Sequence, residues 1–171
     1  MPTGLPGRRT RMTIVLPETR NFSFTPRPLP VPGDLRINWR VAVTLLMLAE
    51  SRAKRASLAK LHVLNYGIRS SRAKSQLAHI LDGTEHALNW QMPVEPAFGR
   101  AVNFVIGEGF AHWTRVAART GLELTEAGLK AASTVTETDN LLVDERQFLG
   151  TVGKKITEDF VSRLLTAGRY I

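Results

Sequence analysis

The amino-acid sequence predicts a mainly α fold: a winged helix-turn-helix with a small β-hairpin wing, plus C-terminal helices and an extended Pro-rich N-terminal arm. Three observations predict it. Segments between residues 38 and 107 repeat apolar residues at helical spacing between recognisable caps. Two strand-like runs, "FAHW" and "LELT", follow, separated by "TRVAARTG", a hairpin of wing length. Then "GLELTEAGLKAA", residues 121–132, stops alternating at Thr125 and passes into a small-residue helix, as at the end of the wing in many winged-helix domains. The expected organisation is an arm over 1–37, a core over 38–133 and a helical extension over 134–171.

Seven of the nine prolines lie in the first 32 residues, and "TPRPLPVPG" places four at alternate positions, which suits extended chain and forbids helix. Two readings of this arm stand: a leader without a role, or a segment that lies along a partner. The apolar "MTIVLP" and "FSF" are more than a pure linker needs.

The first helix begins at Asn38, and "NWRVAVTLLMLAESR" is apolar on nearly every side between Arg40 and Glu50, so it belongs at the centre of a domain. Its longest apolar run, Val41 to Ala49, is about half of the roughly 20 residues a membrane span requires. Ser57 caps a second helix carrying Leu58, Leu61 and Leu64, with Gly67 as its stop. Ser70 or Ser71 caps a third, with Ala73, Leu77, Ile80 and Leu81 on one face and Gly83 at its end. A short extended piece around "ALNWQM" leads to a fourth, with Pro96 in its first turn, Phe98, Ala101, Val102 and Val105 inward and Gly109 past its end. Beyond the hairpin, Leu141, Leu142, Phe148, Leu149 and Val152 mark one helical segment and Thr157 caps "EDFVSRLL", with Gly150 and Gly153 at the break. The tetrapeptide "SRAK" at Ser51 and Ser71 is no true repeat.

At 171 residues the chain can bury on the order of 70% of its unfolded surface, enough for a core without staples. It has no cysteine, which removes disulfides, thiol nucleophiles and thiolate zinc sites and fits a reducing cytoplasm. No apolar leader with a small-residue cleavage site follows the N-terminal basic residues, so a soluble cytoplasmic protein is expected. The formal charge of +8 is unevenly spread: residues 1–37 carry +4, residues 38–82 carry +6 and residues 83–171 carry −2. Such a basic half attracts phosphate backbones or an acidic protein face.

No catalytic constellation emerges. "GTVGKK" (150–155) spaces its glycines too closely for a phosphate loop and has Lys155 where a magnesium-binding hydroxyl belongs. His62, His79, His86 and His112 form no metal-binding pair, and Asp144 with Glu145 or Glu158 with Asp159 point to different faces of a helix. There is no GxSxG elbow. The expectation is a non-enzymatic protein without cofactor, metal or small-molecule substrate.

In a winged helix the helix before the hairpin enters the major groove and the hairpin touches the adjacent backbone. Here that helix offers Arg100 and Asn103, and with Arg115 and Arg119 the cations number three against Glu95, Glu108, Glu123 and Glu126. Tight operator binding uses several phosphate contacts, so the shape is present and the charge is missing. The basic residues cluster earlier: Arg52, Lys54, Arg55, Lys60, Arg69, Arg72 and Lys74, with no acid between Glu50 and Asp82. Arg72, Lys74, Gln76 and His79 are expected to face outward. The ten cations are candidates for DNA or acidic-partner contact; for any one residue of the cluster a solvated helix face is the better account, and for the seven together phosphate or acidic-partner contact is.

The order of "RASLAKLHVLNYGIRS", "PAFGRAVNFVIGEGF", "GLELTEAGLKAA" and "VGKKITEDFVSRLL" resembles the small middle components of bacterial three-gene ABC-ATPase systems, the Lamassu type of phage and plasmid defence. The resemblance runs from about Leu35 to Leu165 and rests on a pattern of residue types. It implies a non-catalytic winged-helix subunit on an SMC- or Rad50-like ATPase, beside a separate effector that is often a nuclease, with non-specific contact to double-stranded DNA. It brings no catalytic residues. It offers "KKITEDFVSRLL" as a docking segment through Ile156, Phe160, Val161, Leu164 and Leu165; the alternative, which the sequence favours, is that these pack on the protein's own core. A stand-alone transcriptional regulator, reading an operator with Arg100, Asn103, Arg115 and Arg119, is the second functional reading.

Overall fold

The computed structural model describes residues 33–93 and 95–167. Helix α1 spans Gly33–Ala49, starting five residues before Asn38, inside the segment assigned to the arm. The reason is local: Pro32 is the last of the alternating prolines, and nothing after it forbids helix. The arm's residues 1–32 lie outside the described residues. Val41 and every residue from Val43 to Leu48 are buried, Thr44 included, whose hydroxyl donates to the Arg40 carbonyl at 2.7 Å.

Beyond α1 the chain turns through a 3-10 segment, Arg52–Lys54, where Ala53 and Lys54 have positive φ. The Ser51 hydroxyl donates to the Met47 carbonyl and the Lys54 ammonium to the Ala49 carbonyl, closing the helix end with hydroxyl and cation. A strand absent from the sequence reading follows: β1, Arg55–Ser57. Three residues are too few to show a period of two.

Ser57 caps α2, Leu58–Arg69, its Oγ accepting from the Lys60 amide at 3.1 Å. Gly67 does not stop this helix, which runs on to Arg69. Its bare Cα instead lets α2 close on other elements: an added Cβ would stand 3.1 Å from the Phe148 ring and 3.2 Å from a Leu77 methyl. Ser70 caps α3, Ser71–Leu81, through the Ala73 amide. A 3-10 turn at Ala87–Asn89 begins the piece expected to be extended, and Pro96 opens α4, Pro96–Gly107, with Phe98, Ala101, Val102 and Val105 buried.

Strands β2, Ala111–Val116, and β3, Arg119–Leu124, form a longer hairpin with a tighter turn than "FAHW" and "LELT" suggest. Ala111 pairs with Leu124 and Val116 with Arg119, leaving Ala117 and Ala118 as the turn. Both have positive φ, as a type I′ turn requires. Strand β1 adds to β3, Ala56 opposite Leu122, giving the antiparallel order β1-β3-β2. Helix α5, Glu126–Glu137, is capped by Thr125, whose hydroxyl accepts from the Gly128 amide at 3.1 Å. The glycine of "LTEAG" then has a plain cause: its Cα lies against the Phe110 carbonyl, and a Cβ would meet that oxygen at 1.9 Å.

Helices α6, Val143–Val152, and α7, Glu158–Ala167, complete the chain. The break falls at 153–157, with Gly150 inside α6 and Thr157 accepting from the Phe160 amide. Leu149, Val152, Ile156, Val161 and Leu164 share one hydrophobic core with α1, and the described residues all belong to one compact unit. No structural boundary follows residue 133. The fold is mainly helical with a small three-stranded antiparallel sheet, compatible with a winged-helix-like arrangement.

Gly128→Ala should cost about 3 kcal/mol in urea denaturation, because backbone must move to admit the methyl. Gly99→Ala, in open space within α4, should instead gain roughly 0.5–1 kcal/mol from helix propensity. Replacing Ala117-Ala118 by Asn-Gly should raise stability by about 1 kcal/mol, read as a melting temperature higher by roughly 2–4 °C, since each alanine now sits in left-handed backbone.

Candidate functional site

Helix α4 turns Gly99, Arg100, Asn103, Phe104 and Gly107 to solvent, a face spaced by three and four residues. Phe104 is 42% exposed, and Trp113 on the edge strand β2 is 49% exposed. Arg100 and Arg115 are exposed and make no ion pair among the described residues. Arg119 does not join them. Its Nη2 donates to Ser162 Oγ at 2.8 Å, tying the hairpin to α7, and its Nη1 is buried without a partner among the described residues. The exposed side chains of α4 and β2 thus include two arginines without an ion pair, a phenylalanine and a tryptophan.

A polar knot sets the position of α4. Glu95, immediately before the helix, pairs with Arg40 of α1 and with Arg69 of α2 at 2.8 Å, and accepts from Asn65 Nδ2 at 2.8 Å. The Arg40 and Glu95 side chains are each 15% exposed. Burial, the largest single influence, pushes the Glu95 carboxyl up. The hydrogen bonds from Arg40 and Asn65 and the charges of Arg40 and Arg69 together outweigh it and hold Glu95 below the usual carboxylate range. Arg69, expected as a phosphate contact, is committed to this knot. Only proximity in space relates Arg40, Asn65, Arg69 and Glu95, so sequence reading missed the group.

The remaining basic residues do not form one patch. Lys60 is corrected outright: it is 4% exposed, and its ammonium donates to the Gly153 carbonyl at 2.9 Å. Burial lowers its pKa, with the Glu158 charge opposing. Lys54 is held at the end of α1. Lys74 is half-buried, its ammonium 5.5 Å from the centre of the Phe148 ring. Gln76, expected outward, folds back to Glu85 and the Asn89 carbonyl, while Arg72 and His79 are exposed. Arg52 and Arg55 are exposed and line a cleft of about 540 Å³ together with Lys60 and Lys154. Lys154 belongs to "GTVGKK", set aside as a failed phosphate loop; nothing local links it to residues a hundred positions earlier.

The docking candidates pack on the protein's own core, the alternative the sequence favours. Ile156, Val161 and Leu164 are buried, and Phe160 and Leu165 are partly buried against the same core. A carboxylate clasp holds them there. Both oxygens of Glu158 accept from Ser57, one from its amide at 2.9 Å and one from its hydroxyl at 2.6 Å, so the start of α7 is fastened to the β1–α2 junction.

Among the described residues no cluster of three or more His, Asp or Glu side chains is gathered to hold a metal ion, and no helix is long and apolar enough to cross a membrane. Comparison with known protein families, curated proteins and solved structures finds no match to this chain.

Glu95→Gln should lower stability at neutral pH by about 2–3 kcal/mol, since it leaves Arg40 partly unpaired in a buried setting. The folded carboxyl is depressed, so its contribution is present above the unfolded pKa of about 4.3 and is lost as pH falls through the lower folded value. Urea denaturation across pH should show the wild-type advantage shrinking below about pH 4, and an advantage independent of pH would exclude this role.

Proposed function

We propose that this chain is a non-catalytic winged-helix accessory subunit of an SMC- or Rad50-like ATPase complex in prokaryotic defence against phage or plasmids. It links the ATPase to a separate effector and assists sequence-independent contact with double-stranded DNA. The observation that carries the reading is the composition of the α4–hairpin face: exposed Phe104 and Trp113 beside only Arg100 and Arg115. Interface cores are enriched in aromatic residues and depleted of charge, whereas tight duplex binding draws on many cations. Arg72 on α3 supplies a weaker backbone contact, and the α4–hairpin face supplies the protein contact.

Co-expression of the full chain with the products of its neighbouring genes, followed by size-exclusion chromatography, tests the reading. The chain should co-elute with a coiled-coil ATPase, and Phe104→Asp with Trp113→Asp should abolish co-elution. Arg72→Glu should spare co-elution while weakening duplex binding alike for all sequences and reducing its salt dependence. Failure to co-elute, together with selection of one duplex sequence whose binding survives raised salt, would establish a transcriptional regulator instead.

A further inference from the structure

Three cations with no ionic partner among the described residues converge on one cleft. Arg52 comes from the turn after α1, Arg55 from β1 and Lys154 from the turn between α6 and α7. All three are exposed. Two acids also line the cleft, but neither forms an ion pair with these three: Glu158 accepts from Ser57 and Asp159 lies 3.3 Å from Arg163, and the lining keeps more cations than carboxylates. Half-buried Val116 and exposed Ala53 add hydrocarbon, so the cleft combines excess positive charge with a small apolar surface.

Size and shape choose between the anions that could enter. A volume of about 540 Å³ is that of a small-ligand pocket, far too small for a double helix, which could bring only a phosphate to the rim and would leave the apolar wall bare. An extended peptide fits both features. Carboxylates match the planar guanidinium forks of Arg52 and Arg55, and an aliphatic side chain covers Val116 and Ala53.

We propose that this cleft binds a short acidic segment of a partner protein, bearing at least two carboxylates beside an aliphatic residue. The inference rests on the bridging-subunit reading for the segment's origin, and it assigns Arg52, Arg55 and Lys154 to protein recognition instead of DNA. Docking there leaves the α4–hairpin face unused, so one chain can hold two partners.

The test uses the full chain and fluorescence anisotropy with a labelled short peptide alternating Glu and Leu, its Gln-for-Glu counterpart, and a short mixed-sequence duplex as competitor. The acidic peptide should bind and the Gln peptide should not. Arg52→Glu with Arg55→Glu should weaken the acidic peptide roughly tenfold or more, Lys154→Glu should weaken it less, and Arg72→Glu, outside the cleft, should leave it unchanged. Arg52→Gln with Arg55→Gln guards against misfolding, and should give the same direction with an unchanged circular dichroism spectrum. The proposal is overturned if the Gln peptide binds equally, if Arg72→Glu weakens binding as much as the cleft variants, or if the duplex displaces the peptide and loses its own binding in the same variants. Co-elution with the ATPase is a separate readout. Loss of peptide binding with co-elution intact removes this inference alone, and peptide binding without any ATPase removes the bridging reading alone.

Discussion

The second half of helix α1 has no solvent side. From Val43 to Leu48 each residue is buried, on all faces of nearly two turns, so the chain must supply apolar cover around the whole circumference. Helices α2, α4, α5 and α6 and strand β3 all pack on it. That requirement draws α6 inward, while α7 packs on α2. With the α6–α7 region needed as cover, Leu149, Val152 and Ile156 enter the core and cannot also serve as an outer docking surface.

Closing the shell brings polar groups together, and the way they are satisfied determines which charges remain for outside use. Glu95 gathers Arg40, Asn65 and Arg69 and fixes where α4 starts. Glu158 takes both donors of Ser57 while Lys60 caps the Gly153 carbonyl, so α2 is fastened to the α6–α7 turn by one carboxylate and one ammonium. Each contact removes a donor or a charge from the surface, as burial demands. The cations left exposed and without an ionic partner among the described residues include Arg52, Arg55 and Lys154 at the cleft, Arg72 on α3, Arg100 on α4 and Arg115 on β2.

This division supports a joining role over a reading role. An α4 face with exposed Phe104 and open glycines at 99 and 107 favours close approach of another protein surface, while the cleft suits a different, acidic ligand. Two chemically distinct surfaces on one small chain are economical for a subunit that bridges.

The sequence by itself determined the elements whose causes are local. Ser57, Ser70, Thr125 and Thr157 cap where their hydroxyls reach an amide three residues on, Pro96 opens α4, and apolar spacing gives the inward faces of α3 and α4. The all-apolar character of α1 and the basic bias of residues 38–82 were equally legible, because both are sums over neighbours in the chain. Only the tertiary structure decided the rest: that β1 exists, by pairing with β3; that Gly67 admits Phe148 instead of ending a helix; that Lys60 is interior while Lys154 stands at the cleft; and that Arg69 and Arg119 are already bound. In each case the deciding partner lies far along the chain, and the burial and charge of a side chain depend on what surrounds it in space, which no local pattern encodes.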